Sequence, residues 1–209
     1  MSVDELGPLS SQIGQRSEAA NRDAAGRCLA NPALLEDVAF GLGHKDAAVL
    51  GDAAEVMTMV AQVAPGLVAP FAERLVPLLG HQTTRVRWEA MHALALVAVL
   101  RPEVIFPLLP RLGELLASDS SVIVRDYATE ALGNYAGRGP EAAEQALPYL
   151  RQALTAAGGK HAGRALDGLA KALAAAPGLA GELLPLAEQY QGHERGVVRK
   201  AARALMKRL

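Results

Sequence analysis

Apolar residues recur along this chain at spacings of three and four, the period of a helix buried along one side. That pattern itself repeats. The segment VRWEAMHALALVA from Val86 matches VRDYATEALGNYA from Val124, and the same frame falls on Val49, His161 and Val198 at intervals of 37 or 38 residues. Ala53, Ala90, Ala128, Ala165 and Ala202 then form an alanine column, followed four residues later by Met57, Leu94, Leu132, Leu169 and Met206. Positions four apart share a helix face; the small alanine lets a neighbouring backbone approach while the larger residue fills the adjoining groove. Each repeat therefore predicts one helix packed on more than one side.

A second helical element precedes each of these, and it opens with Pro32, Pro65, Pro102, Pro140 or Pro177. Proline costs little in a first helical turn, where its missing N–H would have been unpaired. Pro70, Pro107, Pro110, Pro148 and Pro185 fall where these helices would continue, and predict bends. Polar or glycine-rich turns at His44, His81, Asp119, Gly158-Gly159 and His193 join the members of each pair. The resulting map has six helix pairs. First helices fall near 4–14, 32–42, 66–79, 103–117, 141–156 and 178–190, and second helices near 17–29, 46–63, 83–99, 121–136, 160–175 and 195–208. No linker separates them, so residues 1–209 read as a single repeat domain.

Leu115-Leu116, Asp119, Val124-Arg125, Ala128 and Leu132 together resemble a HEAT repeat, and Val86-Arg87, Ala90 and Leu94, and Val198-Arg199, Ala202 and Met206 follow the same pattern. The resemblance implies an all-α, right-handed α-solenoid of about six HEAT-like helix pairs. It also implies that second helices line the binding face. In that family a turn Asp and a helix Arg form a ladder across repeats. Here His44, His81, Ala156 and His193 stand where only Asp119 supplies the acid, and Leu50 and Ala162 replace the Arg. Stacking is expected; a continuous ladder is not.

The composition narrows the chemistry. Hydrophobic residues make up 51% of the chain but aromatics only 4%, so the core must be aliphatic. A net charge of −1 gives no overall attraction to nucleic acid or anionic lipid. The single cysteine, Cys28, excludes an intramolecular disulfide and a multi-cysteine metal site, and its small apolar neighbours read as a buried structural thiol. MSVDELG lacks the basic start and apolar run of a secretory signal, and the longest strongly apolar stretch, 93–100, is far short of a membrane span. A cytoplasmic protein is the expectation.

Function must come from an exposed, repeated face. Trp88, Glu89 and His92 in one repeat, Asp126, Tyr127 and Glu130 in the next, and Arg164 and Asp167 after them are the candidate partner-binding residues. Trp, Tyr and Arg contribute disproportionately to interfaces because each joins a large contact area to a polar end. Residues 195–209 carry six cations and no acid, which leaves −7 on the preceding chain. Arg195, Arg199, Lys200 and Arg203 form a candidate basic docking patch, although a solvated end helix that complements its own dipole explains the same charges. No nucleophile, base and orienting group converge in the sequence, no phosphate loop or metal motif occurs, and the turn histidines are spread along the array. The expectation is a non-catalytic scaffold for a protein or extended peptide, without cofactor or metal. The alternative is a DNA-binding protein similar to HEAT-like alkylpurine glycosylases, in which Trp88 with Asp126 or Glu130 would hold the damaged base; acids interleaved with the arginines weigh against it. Regulatory modules similar to those of chromophore-lyase systems are a third class.

Overall fold

The computed structural model describes residues 6–14 and 17–209. Among them every regular element is helical. The chain divides into two units, Met1–Arg101 and Pro102–Leu209.

In the first unit α1 (Ala19–Ala30), α3 (Ala47–Val63) and α6 (Thr84–Val97) are the second helices, stacked so that α3 touches both others. The first helices are shorter. One runs from a 3-10 turn at Pro32–Leu34 into α2 (Leu35–Gly41). The other is divided into α4 (Pro65–Val68), a 3-10 turn at Ala69–Phe71, α5 (Ala72–Leu75) and a 3-10 stretch at Val76–Gly80. Pro70 and Pro77 stand second in those two 3-10 stretches, where a missing N–H breaks the four-residue ladder.

The expected helix at 4–14 is not formed in its described part, which holds a single 3-10 turn, Ser10–Ile13; residues 4 and 5 lie outside the described residues. Gly7 and Gly14 flank it with φ of 72° and 67°. The segment is instead tied down by its backbone: Ser10 N–H donates to Asn21 Oδ1 at 2.9 Å and Ser11 N–H to Asp52 Oδ2 at 2.7 Å.

In the second unit the second helices are α9 (Val122–Ala136), α11 (Ala162–Ala175) and α13 (Gly196–Met206), with α11 packed against both neighbours. Their partners are α7 (Pro102–Ile105) leading through a 3-10 turn at Phe106–Leu108 into α8 (Leu109–Ser118), then α10 (Pro140–Gly159) and α12 (Ala180–Tyr190). All five repeat-opening prolines begin a helical segment. Pro107 interrupts helix as expected, and Pro110 sits harmlessly in the first turn of α8. Pro148 and Pro185 do not end α10 or α12. Both rings are exposed, so water can satisfy the carbonyls they free.

The break in α10 comes later, at Ala156, Ala157 and Gly158. Ala156 has φ −54° and ψ 138°, close to the −64° and 133° of Asp119, but it lacks a side-chain acceptor, and the chain turns left-handed at Ala157 (φ 51°). A left-handed alanine costs about 1–2 kcal/mol against a right-handed one. Ala157→Gly should therefore stabilise the second unit by about 0.5–1 kcal/mol after the added freedom of the unfolded chain is counted, read as a higher urea midpoint. A lower midpoint would show that the alanine methyl contributes packing worth more than the strain.

The core follows the columns. Ala53, Ala90, Ala128, Ala165 and Ala202 are all 0% exposed, as are Met57, Leu94, Leu132 and Leu169. Cys28 is likewise fully buried, and burial with the nearby Asp37 charge pushes its thiol up to about 11, which keeps it protonated and unreactive.

Candidate functional site

The turns that lead into the second helices show what the histidines do. Asp119 Oδ1 accepts the N–H of Ser121 at 2.8 Å. His44 Nδ1 accepts that of Asp46 at 3.0 Å, His81 Nδ1 that of Thr83 at 3.0 Å, and His193 Nδ1 that of Arg195 at 3.1 Å. An imidazole with its proton on Nε2 thus replaces the carboxylate as the acceptor two residues before the helix N-cap. Arg87 and Arg199, the arginines of two of the three Val-Arg pairs, close the same turns by donating to the carbonyls of His81 and Gln82, and of His193 and Glu194, at 2.7–3.0 Å. His81→Ala should cost about 0.5–1 kcal/mol and His81→Asp should recover it. Equal urea midpoints for wild type and His81→Ala would refute the assignment.

Cross-repeat ion pairs come from other arginines. In the first unit Arg85, at the start of α6, reaches back to Asp52 Oδ1 and Glu55 Oε2 on α3, both at 2.7 Å, while Asn21 Nδ2 on α1 donates to Glu55 Oε2 at 2.6 Å. Burial penalises the Asp52 charge, but donors from Ser11, Asn21 and Arg85 outweigh it and hold the carboxyl below its ordinary range. In the second unit Arg164 on α11 bonds Asp126 Oδ2 at 2.8 Å and also Glu130, both on α9. His161 stands buried in the valine column and places Nδ1 3.2 Å from Asp126 Oδ1. Burial again opposes the Asp126 charge, and His161 and Arg164 prevail, lowering its pKa.

The candidate partner-binding residues therefore divide. Asp126, Glu130 and Arg164 are joined in this cross-repeat cluster and, like Trp88, stay half-buried. Glu89 is buried at 9% exposure and accepts the Trp88 indole N–H at 2.7 Å. Burial first, and the Glu55 charge after it, raise the Glu89 pKa against the opposing effects of Trp88, Thr58 and Arg85. Trp88, His92 and Tyr127 are half-buried, and Asp167 is exposed.

Of the basic patch, Arg195 Nη1 donates to Gly159 O and Lys160 O at 3.1 and 3.0 Å, and Arg199 is committed to its turn. Lys200 and Arg203 are exposed. Asp52, Arg85 and His161 were not among the candidate residues. Arg85 and Arg164 do the same work from different columns of the repeat, so alignment of the repeats does not reveal their common role.

Among the described residues no group of His, Cys, Asp and Glu is arranged to hold a metal, and no helix is long and apolar enough to cross a membrane. No curated protein matches the sequence. Residues 84–135 match the family model of the HEAT-like repeat. Among solved structures, an engineered protein is 23% identical with a TM-score of 0.70, over 100% of this chain and 98% of the other. A designed armadillo repeat protein in complex with the peptide (KR)4 is 21% identical with a TM-score of 0.75, over 99% and 97% of the two chains. A computationally designed armadillo repeat protein for modular peptide recognition is 19% identical with a TM-score of 0.73, over 99% and 98%. The stacked helix pairs, the buried alanine column and these likenesses agree: the chain has an all-α repeat fold like that of the designed armadillo repeat proteins, and residues 84–135 are similar to a HEAT-like repeat.

Proposed function

We propose that this protein is a non-catalytic scaffold that holds a protein segment or an extended peptide against the outward residues of its second helices. The observation that carries this reading is how those helices divide their surfaces. The alanine column has no exposed area, whereas on the same helices Trp88 and His92 in the first unit, and separately Tyr127 and Asp167 in the second, keep solvent-accessible surface. Repeated helices that offer large amphipathic side chains at regular steps suit an extended ligand. Two designed proteins of the same fold, described as a (KR)4 complex and as built for modular peptide recognition, support the reading by analogy. Against a DNA-processing role, Arg85 and Arg164 are neutralised by acids, and Arg87 and Arg199 are spent on backbone carbonyls. A basic track for phosphates would need such groups free.

Trp88 is the only tryptophan, so its emission reports directly on this surface. The test is a titration with a panel of extended peptides, (KR)4 among them, following Trp88 fluorescence, with labelled-peptide anisotropy as a second readout. A saturable signal that His92→Ala, one turn along α6 from Trp88, weakens at least about tenfold supports the scaffold. Failure of the whole panel, or release of alkylated bases from damaged DNA by the protein, would overturn it.

A further inference from the structure

Helix α13 differs from the other second helices on one face. Lys200, Arg203 and Lys207 recur at intervals of three and four, so they lie in a single stripe about 10 Å long. All three are exposed, and the exposed Val197 and Ala204 run beside them. The positions equivalent to Arg203 and Lys207 in preceding repeats are covered: Ala54 and Thr58 on α3, Thr129 and Gly133 on α9, and Leu166 and Ala170 on α11 are all buried.

Within each unit the cover is the next second helix. Thr58 Oγ1 on α3 donates to Glu89 O on α6 at 3.0 Å. Gly133 on α9 meets Gly168 on α11, and Arg208, just past α13, donates to Ala170 O on α11 at 3.3 Å. A face that elsewhere receives a helix is thus, on α13, exposed and cationic.

The other cations of residues 195–209 are differently employed. Arg195, Arg199 and Arg208 donate to the carbonyls of Gly159 and Lys160, His193 and Glu194, and Ala170. They fasten the helix to its own turn and to the preceding repeat. Lys200, Arg203 and Lys207 are exposed, and residues 195–209 contain no acid.

We propose that this stripe docks an acidic amphipathic helix of a partner protein, packed across it in the register in which α3, α9 and α11 receive their neighbours. Shape argues for a helix, because the same register receives one on α3, α9 and α11. Charge argues for acids at intervals of three and four facing the three cations. Val197, 60% exposed, and Ala204 argue for a protein over a nucleic acid, since a phosphodiester backbone has no apolar flank to place against them. The net −7 of the preceding residues further disfavours a long polyanion. This site stands whether or not the Trp88 surface binds a peptide.

The test uses a labelled, helix-forming peptide of about 18 residues with Glu along one stripe and Ala and Leu beside it, titrated with the full chain by anisotropy. Saturable binding is expected that weakens with salt and falls at least about tenfold in the Lys200→Glu, Arg203→Glu, Lys207→Glu variant. That variant should gain affinity for the same peptide with Lys in place of Glu, a rescue that damage to the fold does not produce. Circular dichroism would confirm an unchanged helix content. No binding of the acidic peptide, or binding that survives the triple reversal, overturns the proposal. So does tighter binding of a single-stranded oligonucleotide of similar length through the same three residues, which would assign the stripe to nucleic acid.

Discussion

Gly133→Ala will destabilise the second unit by about 1–3 kcal/mol, although alanine is the better helix former by about 1 kcal/mol. The reason lies in the approach of α9 to α11. A Cβ on Gly133 would lie 2.7 Å from Gly168 Cα, which is backbone and cannot swing aside, so the two helices would have to separate. In the reciprocal case a Cβ on Gly168 would lie 2.7 Å from Leu150 Cδ2 and 3.1 Å from Gly133 Cα. Leu150 is fully buried, so it has little room to yield. Gly26, in the middle of α1, supplies the contrast: it is exposed, and an added Cβ would meet nothing within 4 Å. Gly26→Ala should stabilise by about 0.5–1 kcal/mol. Urea midpoints at constant slope distinguish the cases, and a Gly133→Ala protein as stable as wild type would show that α9 and α11 are not held at backbone contact.

Glu89→Gln will stabilise the first unit at neutral pH by about 1–2 kcal/mol, and the gain will vanish in acid. Folding raises the Glu89 pKa from 4.5, chiefly by burial. The folded state therefore holds this proton more tightly than the unfolded chain, and stability falls as pH rises from 4.5 through the folded value. Below 4.5 the group is protonated in both states and contributes no penalty. Glutamine keeps the Oε1 acceptor for the Trp88 indole while removing the buried charge. Asp52 and Asp126 act in the opposite sense. Their lowered pKa values contribute stability above the unfolded value of 3.8, and that stability is lost as pH falls through the folded values. Comparing thermal unfolding of wild type and Glu89→Gln from pH 3 to 8 isolates the glutamate, because the aspartates are common to both. A constant difference across that range would refute its titration as the cause.

The two glycines also show why the repeat pattern stops short of the packing. Gly133 follows Leu132, whereas Gly168 precedes Leu169, so they occupy different columns of the repeat and meet because α9 and α11 turn opposite faces toward each other. The acidic groups teach the same lesson. Asp126, Glu130 and Arg164 carry the residue types expected of a recognition surface, yet they satisfy one another, and Glu89 has turned inward. Side-chain direction on a helix depends on its rotation about its own axis, which a chain of locally helical residues does not specify.

What the sequence alone determined is the all-α stacking of helix pairs, the second helices within about two residues at most ends, the prolines that start the first helices and the fully buried alanine column. Each depends on spacing along one chain, and the 37-residue period repeats that information several times over. The tertiary structure decided the loss of the first expected helix, the left-handed break at Ala157 and the division of the charged residues. Arg85 and Arg164 became bridges, Arg195 and Arg199 became backbone fasteners, and Lys200, Arg203 and Lys207 were left facing outward. Those outcomes depend on which carbonyls and carboxylates a neighbouring repeat brings within hydrogen-bond reach. That is a property of packed helices and not of any one of them.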